Sequence, residues 1–150
     1  MVKYKKLYTA CLFLNLFLLP LSTYGVLAGI ASYFFTETEG VVLSSDRVRV
    51  RTGNSYVDEA QIEFTYSVDD IQYVSDIVSL NSRLQLKNRT FSVEELKKYG
   101  AGKKVKVFYP AVYPVYGVLE KGVKPSTLLM FLISLLLLFA GRTFKSKISV

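Results

Sequence analysis

Histidine is absent from the 150 residues, and there is one cysteine, Cys11. Without histidine, neither a Ser-His-Asp nor a Cys-His arrangement has its general base. A lone cysteine leaves no Cys/His zinc set and no disulfide within the chain. Cys11 lies inside an apolar run, where burial is the expected state of a thiol and acylation the alternative. Glycine-rich phosphate loops and nucleophile elbows are also missing. The carboxylates that remain have ordinary uses: Asp69 and Asp70 read as turn residues, and Glu94 and Glu95 as the acidic first turn of a helix. Composition leaves a carboxylate or Ser-Lys chemistry open, but the expectation is a non-enzymatic protein with no cofactor and no metal.

Present instead are two long apolar runs, Leu7 to Phe35 and about Val123 to Gly141. About 20 apolar residues of helix span the roughly 30 Å of a bilayer's hydrocarbon, so both runs read as transmembrane helices. A lysine-bearing start and the small residues Val26-Leu27-Ala28-Gly29 also suit a cleaved secretory signal. Continuation of the run through Ile30, Ala31, Tyr33 and Phe35 favours an uncleaved anchor.

Charge is distributed around these runs in a way that gives an orientation. All twelve acidic residues lie between Glu37 and Glu120, and thirteen basic ones lie between Arg47 and Lys124, a net of +1. The other six basic residues are Lys3, Lys5, Lys6, Arg142, Lys145 and Lys147, so the tails carry +6 of the formal +7. Basic residues flanking a span mark its cytoplasmic side, which places both termini in the cytoplasm and the central domain outside. The excess charge is then explained by orientation and by anionic headgroups, and no nucleic-acid partner is expected. The division is 1–6 tail, 7–35 helix, 36–122 outward domain, 123–141 helix and 142–150 tail.

The first span is the more informative. Ser22, Gly25 and Gly29 form a small-residue face that lets another helix approach closely, either the chain's own second span or a partner, including a second copy. Asn15 is the span's other polar residue of note, and Pro20 removes one helical hydrogen bond and should kink it. The second span, rich in leucine, reads as a plain tether.

The outward segment reads as mostly β. Arg47, Arg49 and Arg51 alternate with Val48 and Val50, as in a strand with one charged and one apolar face, and Thr52-Gly53-Asn54-Ser55 is a turn signal. Ile62, Phe64, Tyr66 and Val68 then alternate with polar residues up to Asp69-Asp70, after which Ile71, Tyr73, Ser75 and Ile77 return. A two-residue loop sets Val68 opposite Ile71, Tyr66 opposite Tyr73 and Ile62 opposite Ile77. Ser92 and Glu95 have capping-box spacing, with Phe91 and Leu96 as its staple and Gly100 or Gly102 as terminator. A last strand from Lys103 to Tyr109 ends at Pro110 and Pro114. The fold class is thus membrane α + β, with two helices flanking a small antiparallel sandwich- or barrel-like domain that contains one short helix.

The order of a membrane helix, Glu39-Gly40-Val41-Val42, a hairpin on Phe64-Thr65-Tyr66, Tyr99 and Gly102 leading into Val105-Lys106-Val107-Phe108-Tyr109-Pro110, then Pro114 and Leu119-Glu120-Lys121-Gly122 before a second helix, resembles the DUF3592 family. That resemblance implies a bacterial inner-membrane protein with an extracytoplasmic β domain and carries no catalytic residues. In the family an Asn or Asp commonly precedes the first proline of this segment; here Tyr109 stands there.

Two surfaces are candidates for binding. The stripe of Arg47, Arg49 and Arg51 suits an acidic partner or lipid headgroups, or is the wet face of an edge strand. Tyr109, Tyr113 and Tyr116, with Phe108, suit the membrane interface, where tyrosine is favoured. Asn88-Arg89-Thr90 matches a glycosylation sequon, relevant only in a eukaryotic secretory pathway. The expected partners are the bilayer and either a membrane protein or the chain itself. The expected role is an accessory or interaction module, the alternative an immunity protein that blocks a toxin at the membrane.

Overall fold

The computed structural model describes residues 2–81 and 89–146. It divides into two compact units, Met1–Ala28 with Val123–Val150, and Gly29–Gly122.

The first unit is helical. Helix α1 (Val2–Ala31) runs without a break through Pro20, and helix α3 (Pro125–Ser146) is the unit's second helix. It starts at a proline, whose fixed φ and missing N–H suit a first helical position. Asn15, Ser22 and Gly25 of α1 and Thr127, Ser134 and Gly141 of α3 are buried. Residues seven apart return to nearly one face of a helix, so α3 carries a seam of Thr127, Ser134 and Gly141 that the tether reading did not anticipate. Leucines hide such a seam from composition, because its signal lies in three small residues at fixed spacing. The helices meet antiparallel: Asn15 Nδ2 donates to the Ser134 carbonyl at 2.9 Å, a Cβ on Gly141 would lie 3.8 Å from that of Cys11, and Tyr4 stacks on Phe144 at 6.3 Å. Ser22 and Ser134 hydroxyls donate back to the Leu18 and Phe131 carbonyls, each at 2.7 Å, so both are satisfied within their own helices. Leu16, Phe17, Leu136 and Phe139 point away from the seam and are exposed.

The second unit opens with a 3-10 turn at Ser32–Phe34 and holds one antiparallel sheet. Its strands are β1 (Thr36–Thr52), β2 (Ser55–Val68), β3 (Ile71–Ser75) and β4 (Lys104–Tyr109), in the order β3-β2-β1-β4. Asp69 and Asp70 take φ of 50° and 62°, as both central residues of a type I′ turn must. Val68 faces Ile71 and Tyr66 faces Tyr73. Pairing stops at Phe64 with Ser75, so the expected Ile62–Ile77 pair is not made. β1 begins at Thr36, well before the arginine alternation, because Glu37 and Glu39 pair across the sheet with Phe108 and Lys106.

Among the described residues the expected sandwich or barrel is one open sheet. Its core face carries Val42, Ile62, Phe64, Tyr66, Val68 and Val107, together with Val78, Tyr99 and Leu119. No second sheet is needed, because the helix α2 (Arg89–Lys98) packs on β2 and β1 and contributes Tyr99 just past its end. α2 starts three residues before Ser92; the side chains of Phe91 and Ser92, and Asn88 with its sequon, lie outside the described residues.

The segment after β4 closes the same face. Phe108 and Val118 exchange two backbone hydrogen bonds of 2.8 Å, and the Leu119 and Glu120 amides donate to the Val78 carbonyl at 3.0 and 2.8 Å. The Tyr66 hydroxyl donates to the Pro114 carbonyl and accepts the Gly117 amide at 2.9 Å. Its ring lies between those of Tyr73 and Tyr109. Gly117 is a glycine by necessity, since a Cβ there would sit 2.5 Å from the Tyr66 ring.

Candidate functional site

β4 pairs with β1 only over Thr36–Val41 and β3 with β2 only over Phe64–Val68. Beyond those positions β1 and β2 continue together to the Gly53-Asn54 turn as a ribbon of two strands. Gly53 has φ of 61° while Asn54 is not in the left-handed region, the sign pattern of a type II′ hairpin with glycine first.

A β-bulge decides which face of this ribbon is charged. Val42 pairs with Phe64, but the next pairs are Ser44 with Glu63 and Ser45 with Ile62, so Leu43 is an extra residue on β1. One added residue inverts the alternation. Without it, Val48 and Val50 would continue the face of Val42. With it, Arg47, Arg49 and Arg51 continue the core-facing side of the sheet, opposite Ala60, Asp58 and Tyr56. Val48, Val50, Val57 and Glu59 take the reverse side.

Charge on the arginine face is unbalanced. Asp58 is the carboxylate between Arg47 and Arg49, at 3.8 and 3.3 Å, while the Arg51 guanidinium donates to the Gly53 carbonyl at 3.2 Å. Arg49 keeps 73% of its side chain exposed, and exposed pairs of this kind are each worth only about 0.2–1 kcal/mol. Among the described residues these three cations and one acid form a basic strip. Asp58 is a partner that sequence reasoning missed, although the signal was there: a two-residue loop at Gly53-Asn54 puts Thr52 opposite Ser55 and hence Arg49 opposite Asp58.

The three tyrosines separate. Tyr109 is half-buried against Tyr66 and belongs to the core. Tyr113 and Tyr116 are exposed, with Val112 and Val115 beside them, so the loop from Pro110 to Tyr116 presents an apolar, hydroxyl-tipped surface. Phe108 instead carries the Lys121 ammonium 4.1 Å from its ring centre.

The small-residue candidates separate as well. Ser22 and Gly25 lie buried in the helical unit, whereas Gly29 belongs to the sheet unit, where its carbonyl accepts the Ser32 hydroxyl at 2.7 Å. Ser32 also accepts the Gly122 amide at 2.8 Å, which ties the end of the closing segment to the 3-10 turn.

Titration responds to this packing. Burial pushes the Tyr66 and Tyr99 phenols above the ordinary 10.0, against the pull of the Gly117 hydrogen bond and of Lys98 respectively. The Glu37 carboxylate raises Lys106 by hydrogen bond and charge. Among the described residues no group of three or more His, Cys, Asp or Glu is placed to hold a metal ion.

No protein-family model matches the chain, and no curated protein is similar enough to count as a relative.

Proposed function

We propose that this is a non-enzymatic interaction protein anchored in a membrane, whose sheet domain engages a protein partner on the far side of the membrane from its termini. One observation carries the reading. The helices α1 and α3 are long and apolar enough to cross a bilayer, they bury a narrow seam of small residues and expose their leucines and phenylalanines, and the unit between them carries a projecting basic ribbon. A core helix of a soluble protein hides its large apolar side chains; these show theirs, which suits lipid. The basic tails support this orientation, and the DUF3592 resemblance suggests a bacterial inner membrane.

Orientation is tested with the chain's own economy of cysteine. Asn54→Cys, at the ribbon tip, should react with an impermeant maleimide in intact spheroplasts, and Ser146→Cys only after lysis. The reverse pattern would sink the topology, and release of the protein by alkaline carbonate would sink the anchor. Isolation in mild detergent should then recover a larger membrane partner in fixed ratio, which an isolated monomer would contradict. Expression beside a toxin that harms only cells lacking this chain would favour the immunity alternative.

A further inference from the structure

Among the described residues the ribbon has an unpaired edge, and Arg47, Arg49 and Arg51 lie along it. Residues flanking a two-residue hairpin loop form a mutually hydrogen-bonded pair, and such pairs alternate with non-bonded ones along the ladder. Thr52 and Ser55 are that pair here. Counting back from them, Val50, Val48, Asp46 and Ser44 turn their N–H and C=O groups toward β2, while Arg51, Arg49, Arg47 and Ser45 turn theirs away from it. On the other side of β1, the pairing with β4 ends at Val41, extended by the Val42 amide's bond to the Lys103 carbonyl and the Gly102 amide's bond to the Val42 carbonyl. Among the described residues no strand continues along β1 past that point. Among the described residues Arg47, Arg49 and Arg51 thus present both open backbone groups and a guanidinium, and Ser45 open backbone groups alone.

We propose that the edge of β1 from Ser45 to Arg51 takes an extended acidic segment of a partner protein as an added strand, with alternate carboxylates meeting Arg47, Arg49 and Arg51. The inference rests on the interaction reading and names the chemistry of its partner. Strand addition supplies affinity through main-chain hydrogen bonds and specificity through alternate side chains. Directly opposed opposite charges stabilise a sheet pair, and like charges destabilise it. That rule also argues against a second copy pairing here, because antiparallel β1 edges would set arginine against arginine. A lipid headgroup layer would meet the guanidinium groups but leave the backbone ladder unpaired; a strand meets both. The alternate residues of the added strand fall on the side of Val48 and Val50, 36% and 39% exposed, so the matching sequence alternates acidic and apolar residues.

The probe is a fluorescent Glu-Val repeat peptide, titrated by anisotropy against the full chain in neutral detergent. Binding should saturate, and should weaken at about 0.5 M salt, where surface charges are screened. It should fall about tenfold when Arg47, Arg49 and Arg51 are all changed to Gln, three exposed pairs being lost together. A Lys-Val peptide should not bind. The deciding arm needs no variant: the Glu-Val peptide N-methylated at alternate residues, in either phase, keeps its charge but one phase cannot join the ladder, and that phase should lose binding. Equal binding of both methylated phases would overturn strand addition, as would a triple variant with wild-type affinity or displacement of the peptide by anionic vesicles alone. If no peptide binds yet a membrane partner still copurifies, the edge proposal fails while the interaction reading stands.

Discussion

Tyr66 does the work of a cross-brace with one oxygen. Its hydroxyl serves Gly117 N–H and the Pro114 carbonyl at once, and its ring fills the centre of a row of three. Tyr66→Phe keeps the ring and strands both backbone groups, so a loss of about 1–3 kcal/mol is expected, read as a lowered urea midpoint followed by circular dichroism. Gly117→Ala should cost more, since the new methyl meets the ring rather than solvent. The same residue predicts a pH response. A phenol whose pKa is raised by folding contributes stability that is whole below the unfolded value near 10 and is lost as pH climbs from there toward the folded value. Tyr66, Tyr99 and Lys106 all shift in that direction. The unfolding midpoint should therefore fall above pH 10, and Tyr66→Phe should flatten that fall; an unchanged slope would refute the assignment to Tyr66.

At the scale of elements, the second hairpin was legible and the first only half so. Alternation of Ile62, Phe64, Tyr66 and Val68 up to Asp69-Asp70 specifies both register and face, because each apolar residue on the wrong side would be exposed. Type I′ geometry then requires two left-handed residues, which costs a non-glycine residue roughly 1–2 kcal/mol. Asp70→Gly should accordingly stabilise the sheet by about 0.5–1 kcal/mol and raise its melting midpoint by several degrees. No change, or a loss, would mean that the aspartate makes compensating bonds at the turn. In the first hairpin the arginines alternate just as clearly, yet a single extra residue at Leu43 reverses which face they join. A bulge carries no compositional mark, so periodicity gave the strand and its two faces but not their assignment. The open sheet was hidden for a related reason. Its cover is a ten-residue helix and a proline-bearing segment held by backbone hydrogen bonds, neither of which has a strand's periodicity.

For the molecule as a whole, the question is whether the seam of small residues joins two helices of one chain or two chains. Lipid supplies no hydrophobic force between apolar helices, so close backbone approach and interhelical hydrogen bonds must hold them. Asn15 to the Ser134 carbonyl is such a bond, deep in the seam. Removing it by Asn15→Leu should weaken the pairing by about 0.6–2 kcal/mol. Direct proof of pairing within a chain comes from Cys11, the sole cysteine. The Cβ of a residue replacing Gly141 would stand 3.8 Å from the Cys11 Cβ, inside the 3.5–4.5 Å that a disulfide bridges. Gly141→Cys should then oxidise with copper-phenanthroline to a cross-linked monomer that migrates faster on a non-reducing gel. Covalent dimers in its place would mean that the seam joins two copies, and the antiparallel pair would have to be rebuilt between chains. Absence of either product, with both thiols accessible to maleimide in detergent, would mean that α1 and α3 do not meet at this level at all.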